Sequence, residues 1–153
     1  MRFEVAPDLP LARFCTMEHE AEQRITMPWH SGGMAAIINL QSTLKNMEKV
    51  LSERLSSSQY QDIERDLIID TDIGAARLSL HLGGVSATPL PDDHPEQPDV
   101  AIPQSALAGM ILGLYYPSHI WELWGRPISE DVLSLLTVLF PKRFPRIPLI
   151  DHF

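Results

Sequence analysis

The last three residues of the chain carry groups that can exchange protons. Asp151, His152 and Phe153 place a side-chain carboxylate, an imidazole and the terminal α-carboxylate side by side. A carboxylate in an apolar environment has a raised pKa and can then accept a proton near neutral pH. The alternative is a frayed terminus, as is common at chain ends; the apolar residues Ile147 and Leu149 make docking of this tail more plausible than usual. Asp151, His152 and Phe153 are therefore the predicted catalytic residues.

Aromatic side chains gather near the C-terminus and suggest a second kind of chemistry, the binding of an apolar ligand. Pockets for such ligands are lined mostly by aromatic and aliphatic side chains with a few polar groups. Tyr and Trp also carry a polar atom that can orient a ligand. The alternative is that these rings close one end of the core. The predicted lining residues are Tyr115, Tyr116, Trp121, Trp124, Phe140, Phe144 and the neighbouring Met110.

Other reactive constellations are absent from the sequence. It has no glycine-rich phosphate loop, no Gly-x-Ser-x-Gly elbow, no Cys-x-x-Cys pair and no His-Glu-x-x-His motif. His94 lies among carboxylates in a proline-broken stretch, and His19 lacks a second histidine four residues on, so neither predicts metal-ligand geometry. The single cysteine, Cys15, favours a reducing compartment and a buried, unreactive thiol. No metal, no cofactor and no complete catalytic motif are predicted.

Composition excludes several classes of partner. The chain has 153 residues, of which 44% are apolar, which suits one domain with a substantial core. The net charge of −8 argues against nucleic acids and anionic membranes, which repel a net anion. The longest apolar run, residues 106–116, is shorter than the roughly 20 residues that span a bilayer. With no apolar run at the N-terminus, we predict a cytoplasmic protein that is not an integral membrane protein.

The first half of the chain predicts an irregular segment followed by a helix. Prolines break residues 1–33, which we expect to be irregular, and residues 34–153 are expected to form the domain. The apolar run at residues 34–38 predicts a strand. Apolar residues then recur at helical spacing, so a helix capped by Asn39 is expected to lie on a sheet. The residues on its apolar face are Leu40, Leu44, Met47, Leu51 and Leu55.

Strands and a mobile loop are predicted next. Residues 67–70 and 77–82 predict two strands joined by a turn at residues 71–74, and residues 85–88 predict a further short strand. Alternation in the second strand places Leu78, Leu80 and Leu82 on one face. The acidic, proline-rich residues 88–99 predict an exposed loop.

Three helices are predicted in the last third of the chain. One begins at Pro103 and carries an apolar stripe of Leu107, Met110, Ile111 and Leu114. Its Gly109 and Gly113 would let another backbone approach closely, and close packing on the sheet is expected. Ser118 is expected to cap a short helix that runs to Trp124. Ser129 is expected to cap a final helix with Val132, Leu135, Leu136 and Leu139 on one side. The predicted class is α+β, a mostly antiparallel sheet backed by helices around an apolar cavity.

Several of these features together resemble a known domain. They are residues 34–39 followed by the amphipathic helix, the strand at 78–82, residues 106–116, and Leu139-Phe140-Pro141 with the closing Asp151-His152-Phe153. In this order they resemble the sterol-carrier-protein-like C-terminal domain of GNAT N-acetyltransferases of the enhanced-intracellular-survival type. The resemblance covers roughly residues 34–153. It implies the sterol-carrier fold with an apolar interior.

The resemblance also implies a role for the C-terminus. In that family the domain follows two acetyltransferase-fold domains, and the terminal carboxylate reaches the acetyltransferase site and serves as a base. The matching group here is the α-carboxylate of Phe153. The chain departs from the family because it shows no acetyl-CoA-binding domain and has Ala36 where an arginine is common.

Three functions are compatible with the sequence. The first is a module that binds a hydrophobic small molecule or an acyl chain. The second is an accessory domain that lends the Phe153 carboxylate to a GNAT acetyltransferase subunit. The third is a small enzyme that orients a substrate in an apolar cavity, with Asp151, His152 or His119 as acid or base. A homo-oligomer is compatible with all three.

Overall fold

The computed structural model describes residues 35–91, 93–124 and 127–143, together with Pro10 and Phe14. Of residues 121–123 it describes the backbone only. The chain divides into two compact units, residues 35–142 and the combination of residues 1–34 with 143–153. The first unit contains the helices and strands described below.

A four-stranded sheet and four helices form this unit. The strands are ordered β3-β2-β1-β4; β1, β2 and β3 pair antiparallel, and β4 pairs parallel to β1. The predicted α+β class with a mostly antiparallel sheet is therefore confirmed. In chain order the elements are α1 (Leu40–Ser56), β1 (Glu64–Thr71), β2 (Gly74–His81), β3 (Gly84–Leu90), β4 (Val100–Ala101), α2 (Gln104–Ile111), α3 (Pro117–Trp124) and α4 (Glu130–Leu139).

Helix α1 agrees with the sequence prediction at its start and along its apolar face. Asn39 Oδ1 accepts a hydrogen bond from the Ser42 backbone N–H at 2.7 Å, which satisfies one of the unpaired donors at a helix N-terminus. Four of the five predicted core residues are buried, and Met47 is partly buried against them. The buried four are Leu40, Leu44, Leu51 and Leu55.

Side chains of α1 also close the outer edge of the sheet. The Val85 N–H donates to Ser52 Oγ at 2.8 Å, and the Ala87 N–H donates to Glu48 Oε1 at 2.7 Å. The next residue of β3 whose backbone nitrogen lies at this open edge is Pro89, which has no N–H to donate. Unpaired backbone groups at an edge invite pairing with another chain, so Ser52, Glu48 and Pro89 protect β3 from strand addition.

The strand predicted at residues 34–38 is wrong for the residues that the structure describes. Residues 35–39 adopt no regular structure and lead directly into α1. The Ile37 N–H donates to Gln104 Oε1 at 3.0 Å, so a side chain satisfies this donor. Ile38 is 96% exposed, so its apolar character reflects no burial. An apolar run becomes a strand only where a neighbouring strand can pair with it.

The two hairpins follow the predicted alternation until the second turn. Leu78 and Leu80 are fully buried, as predicted. Leu82 was predicted to share their face, which is wrong: it lies in the β2–β3 turn and is 79% exposed. Leu82 and Gly83 have φ values of 47° and 76°, and a two-residue hairpin turn of this type needs positive φ at both positions. The strand also ends at His81, where pairing with Gly84 closes the turn.

Replacing Leu82 by asparagine is expected to stabilise the protein. Leucine in the left-handed region costs roughly 1–2 kcal/mol, whereas asparagine tolerates that region and precedes glycine in favoured hairpin turns. We therefore expect Leu82→Asn to raise the free energy of unfolding by about 1 kcal/mol in urea titrations. Leu82→Ala, which keeps the strain, serves as the control. An Asn variant no more stable than the Ala variant would contradict this interpretation of the turn.

Helix α2 is set by its two ends. Pro103 precedes the helix as its N-cap residue, and Asp72 in the β1–β2 turn accepts the Gln104 N–H in its place. At the other end the Gly113 N–H donates to the Met110 carbonyl and the Leu114 N–H to the Gly109 carbonyl, which is the Schellman arrangement. Gly113 has a φ of 73°, which suits glycine. Leu114, predicted on the apolar stripe, therefore lies beyond the helix and is exposed.

The last two helices and the acidic loop differ from prediction in their bounds. Helix α3 begins at Pro117, so Ser118 is not its cap as predicted, because proline is well suited to the first helical position. Ser129 is the N-cap residue of α4, as predicted. The loop predicted to begin at residue 88 begins after Leu90, because β3 continues to that residue. The predicted apolar face of α4 is fully buried: Val132, Leu135, Leu136 and Leu139.

Candidate functional site

The predicted catalytic residues Asp151, His152 and Phe153 lie outside the described residues, as does Phe144. The chain that leads toward them is well fixed. Phe140 is fully buried in the core, and its N–H donates to the Leu136 carbonyl at 2.7 Å.

The residues on either side of Phe140 are also held. Arg54 donates to the Leu139 carbonyl, and Lys142 Nζ donates to the Leu114 carbonyl. Together with burial of Phe140, these bonds fix the direction of the chain as far as residue 142.

An aromatic cluster is formed by the segment that joins α2 to α3 and by α3 itself, and it contains three of the residues predicted to line a pocket. Tyr115 and Trp124 meet edge to face, with ring centroids 6.0 Å apart and planes at 69°. Tyr116 meets His119 in the same way, at 5.2 Å and 66°. Such arrangements are favoured by the charge distribution of aromatic rings. We call Tyr115, Tyr116, His119 and Trp124 the aromatic cluster.

The aromatic cluster is partly open to solvent. Tyr115 and Trp124 are half-buried, whereas Tyr116 is exposed. Leu112 and Leu114, which precede Tyr116 in the chain, are also exposed. The exposed phenol ring of Tyr116 has Lys142 Nζ 6.0 Å from its centroid, within the range of a cation–π contact.

Gly109 determines where Tyr115 lies. A Cβ built on Gly109 would be 2.4 Å from two carbons of the Tyr115 ring, far inside van der Waals contact. The sequence predicted close packing of Gly109 on the sheet, but the group nearest to it is the Tyr115 side chain. The sequence did not predict that the absence of a side chain at Gly109 makes room for the ring of Tyr115.

Two other predicted lining residues belong to the core. Met110 and Phe140 are fully buried in the main hydrophobic cluster, together with residues of α1, the sheet and α4. The side chain of Trp121 is not among those described. The structure therefore brings Tyr115 and Trp124 together, with Tyr116 adjacent, and leaves ligand contact by all these residues as a prediction.

Two arginines of the sheet form ion pairs with carboxylates of the sheet, of residues 93–99 and of α4. Arg65 of β1 bonds Asp131 at the start of α4 and lies 3.4 Å from Asp99. Arg77 of β2 bonds Glu96 and lies 3.8 Å from Asp66. The Arg65 guanidinium, aided by Ser129 and the Val132 N–H, holds the pKa of Asp131 well below its usual range. Asp131 in turn raises the pKa of Arg65.

The lowered pKa of Asp131 predicts how stability depends on pH. The carboxylate is bound in the folded state, so its stabilising effect is present above the unfolded pKa of about 4 and is lost as pH falls below it. In urea titrations between about pH 4 and pH 2, wild type is expected to lose stability more steeply than Asp131→Asn. Arg65→Met, which removes the ion-pair partner of Asp131, should show the same shallow pH dependence as Asp131→Asn. Parallel pH slopes in wild type and Asp131→Asn would contradict the assignment.

A surface pocket of about 550 Å³ lies between the β1–β2 turn and residues 94–98. Its walls include Asp70, Asp72, His94 and Glu96. Two of these carboxylates are already engaged, since Asp72 accepts the Gln104 N–H and Glu96 pairs with Arg77. Within the ranges that the structure describes, no three His, Cys, Asp or Glu side chains are placed to hold a metal ion.

No helix in the described part of the chain combines the length and apolar content needed to cross a bilayer.

Comparisons with known proteins give structural likeness but no sequence match. No protein-family model matches the sequence, and no curated protein matches it. A solved GCN5-related N-acetyltransferase from Anabaena variabilis ATCC 29413 is similar over 54% of this chain, with 20% identity and a TM-score of 0.41. The match covers 22% of that acetyltransferase, so the chain corresponds to only part of its length.

Proposed function

We propose that this chain is an accessory domain of a GNAT-type N-acetyltransferase. In this proposal the Phe153 α-carboxylate acts as a base at an acetyl-CoA site that another domain or subunit supplies. The proposal rests on the resemblance seen in the sequence. The observation that carries it is that the body is fixed as far as residue 142 by the contacts of Arg54, Phe140 and Lys142, the segment that precedes the tail.

Three carboxylates of the body accept backbone N–H groups that would otherwise lack a partner. Glu48 accepts from Ala87 at 2.7 Å, Asp72 from Gln104, and Asp99 from Ile68 at 2.9 Å. Each of these hydrogen bonds satisfies a donor that would be costly to leave unpaired, and it holds the carboxylate in one orientation. These three residues therefore serve the fold.

A base carried on a tail needs a rigid point of departure. General bases act only within hydrogen-bond reach of the proton that they accept, and sites built on rigid elements keep that geometry. The contacts of Arg54, Phe140 and Lys142 fix the chain up to residue 142. This supports a role for residues 139–142 as a fixed point from which a tail can act.

The proposed step is proton transfer coupled to acyl transfer. The Phe153 carboxylate accepts a proton from a substrate ammonium, and the free amine attacks the thioester carbon of acetyl-CoA. The C–S bond breaks, and the CoA thiolate takes up a proton. The products are the N-acetylated amine and CoA.

The test is a measurement of CoA release. With acetyl-CoA and a primary amine acceptor, this chain alone is expected to release no CoA thiol above the buffer rate. Adding it to a GNAT-type acetyl-CoA-binding protein from the same genome, or expressing both as one polypeptide, should raise the rate. A rate equal to that of the acetyl-CoA-binding protein by itself would overturn the proposal.

A second candidate function, binding of an apolar ligand, is favoured by the aromatic cluster. Half-buried Tyr115 and Trp124 combine apolar surface with hydrogen-bonding atoms, and exposed Leu112 and Leu114 extend it along the chain. A fluorescent fatty acid should then bind at micromolar concentration, and Tyr115→Ala should weaken binding while Tyr60→Ala does not. Equal binding by both variants would place the ligand elsewhere, and no binding would remove this function.

A further inference from the structure

The second face of the sheet, opposite the main core, carries two buried apolar side chains. Ile68 is 5% exposed and Ala75 is 8% exposed, yet neither belongs to the main hydrophobic cluster. Side chains alternate between the faces of a strand, and their neighbours Ile69 and Ala76 face the core. Something other than the core therefore covers Ile68 and Ala75.

Residues 93–99, which we call the strap, lie on this face. His94, Glu96 and Pro98 line the pocket together with Ala75, so the middle of the strap lies beside that residue. At the end of the strap, the Asp99 carboxylate accepts the Ile68 N–H at 2.9 Å. The strap has no helix or strand of its own.

The strap is tied to the sheet mainly through charge. Arg77 bonds Glu96 of the strap and also faces Asp66 of β1. Arg65 lies 3.4 Å from Asp99 of the strap and also bonds Asp131 of α4. Each arginine thus joins one strap carboxylate to one carboxylate of the sheet or a helix.

We propose that residues 93–99 form a strap that the Arg77–Glu96 pair holds over the second face of the sheet and the Arg65–Asp99 pair anchors at the β4 edge. Its release widens the pocket, exposes Ala75 and frees the Ile68 N–H. The strap lies within residues 35–142, and its release does not depend on the acetyltransferase proposal.

Salt is the natural means of releasing such a strap. The arginines and their partners are partly exposed, and ion pairs of this kind are individually weak. The screening length falls from about 10 Å at 0.1 M salt to about 3 Å at 1 M. High salt should therefore populate the released strap while the buried leucine core stays closed.

Thiol labelling at adjacent positions tests the proposal. In a Cys15→Ser background, Ala75→Cys places a thiol under the strap, and Ala76→Cys places one in the core on the opposite face. Raising NaCl from about 0.1 M to 1 M should speed maleimide labelling at position 75 roughly fivefold. Arg77→Met should do so at low salt, whereas the exposed charge change Lys45→Met should not. Position 76 should remain slow throughout.

Hydrogen exchange in the unaltered protein gives an independent readout. The Ile68 amide, bound to Asp99, should exchange faster at high salt, while the Ile69 amide, which pairs with Ala76 in the sheet, should not change. Selective acceleration at Ile68 and at position 75 supports the strap. Rates insensitive to salt and to Arg77→Met, or equal acceleration at Ile69 and position 76, would overturn it.

Discussion

Deleting Phe153 is expected to reduce acetyl transfer by about 100-fold or more, since a positioned general base contributes roughly 10²–10⁴-fold to rate. The deletion does not remove the terminal carboxylate but moves it back by one residue, about 3.5 Å along the chain. Such a displacement takes the carboxylate out of hydrogen-bond reach of the reacting amine. The measurement is the steady-state rate of CoA release by the chain together with the acetyl-CoA-binding protein.

Phe153→Leu is the matched control for this deletion. It keeps an apolar residue and the α-carboxylate at position 153, so activity should stay within a few-fold of wild type. If the leucine variant is as impaired as the deletion, the phenyl ring and not the carboxylate is important. If the deletion leaves the rate unchanged, the base lies elsewhere and the proposed role of the tail is wrong.

Gly109→Ala is expected to lower the free energy of unfolding by about 1–2 kcal/mol, although alanine is normally the better helix residue. In an exposed helix interior the change would gain about 1 kcal/mol. Here the new methyl group would overlap the Tyr115 ring, and overpacking typically costs 1–3 kcal/mol. Burial of Gly109 in a closely packed helix leaves the ring little room, so the steric cost should exceed the gain.

A double-mutant cycle separates these two effects. In a Tyr115→Ala background the overlap is gone, so Gly109→Ala should stabilise the protein by up to about 1 kcal/mol. The sign of the glycine substitution should thus reverse with the residue at position 115. Urea unfolding of the four proteins measures the cycle. The same sign in both backgrounds would show that Gly109 does not seat Tyr115.

Hydrophobic periodicity was sufficient to predict the elements that line the core. The leucine spacing of α1, the alternation through Leu78 and Leu80, and the apolar face of α4 are buried as expected. Burial of one face determines these patterns directly, so they can be recognised in a single sequence. The cap at Asn39 could also be recognised, because it is a hydrogen bond between residues close in the chain.

Features that depend on distant partners were not predicted. Strand β4 is two residues long and pairs parallel with β1, a contact that no local pattern encodes. Asp72 caps α2 from another turn, and Glu48 caps β3 from a helix. The apolar residues Ile38 and Leu82 misled the sequence interpretation because their character is not matched by burial.

The candidate site was predictable only in part. The closeness of Tyr115 and Trp124 agrees with the grouping of aromatic residues in the sequence. The two arginine-centred ion-pair groups were missed, since Arg65 and Arg77 join carboxylates 11 to 66 residues away in the chain. Charged residues on a half-exposed strand face usually indicate only solvation, and nothing local marks the ones that bridge to a loop.

The most direct test of the proposed function is the pH dependence of kcat/KM for the chain with a free or an amidated Phe153. Semisynthesis with a C-terminal amide removes one ionisable group and keeps every side chain. With the acetyl-CoA-binding protein present, kcat/KM of the free acid should rise with pH as a single base loses its proton. The amide should lack this rise and should lose most of the activity. Identical profiles for the acid and the amide would contradict the account.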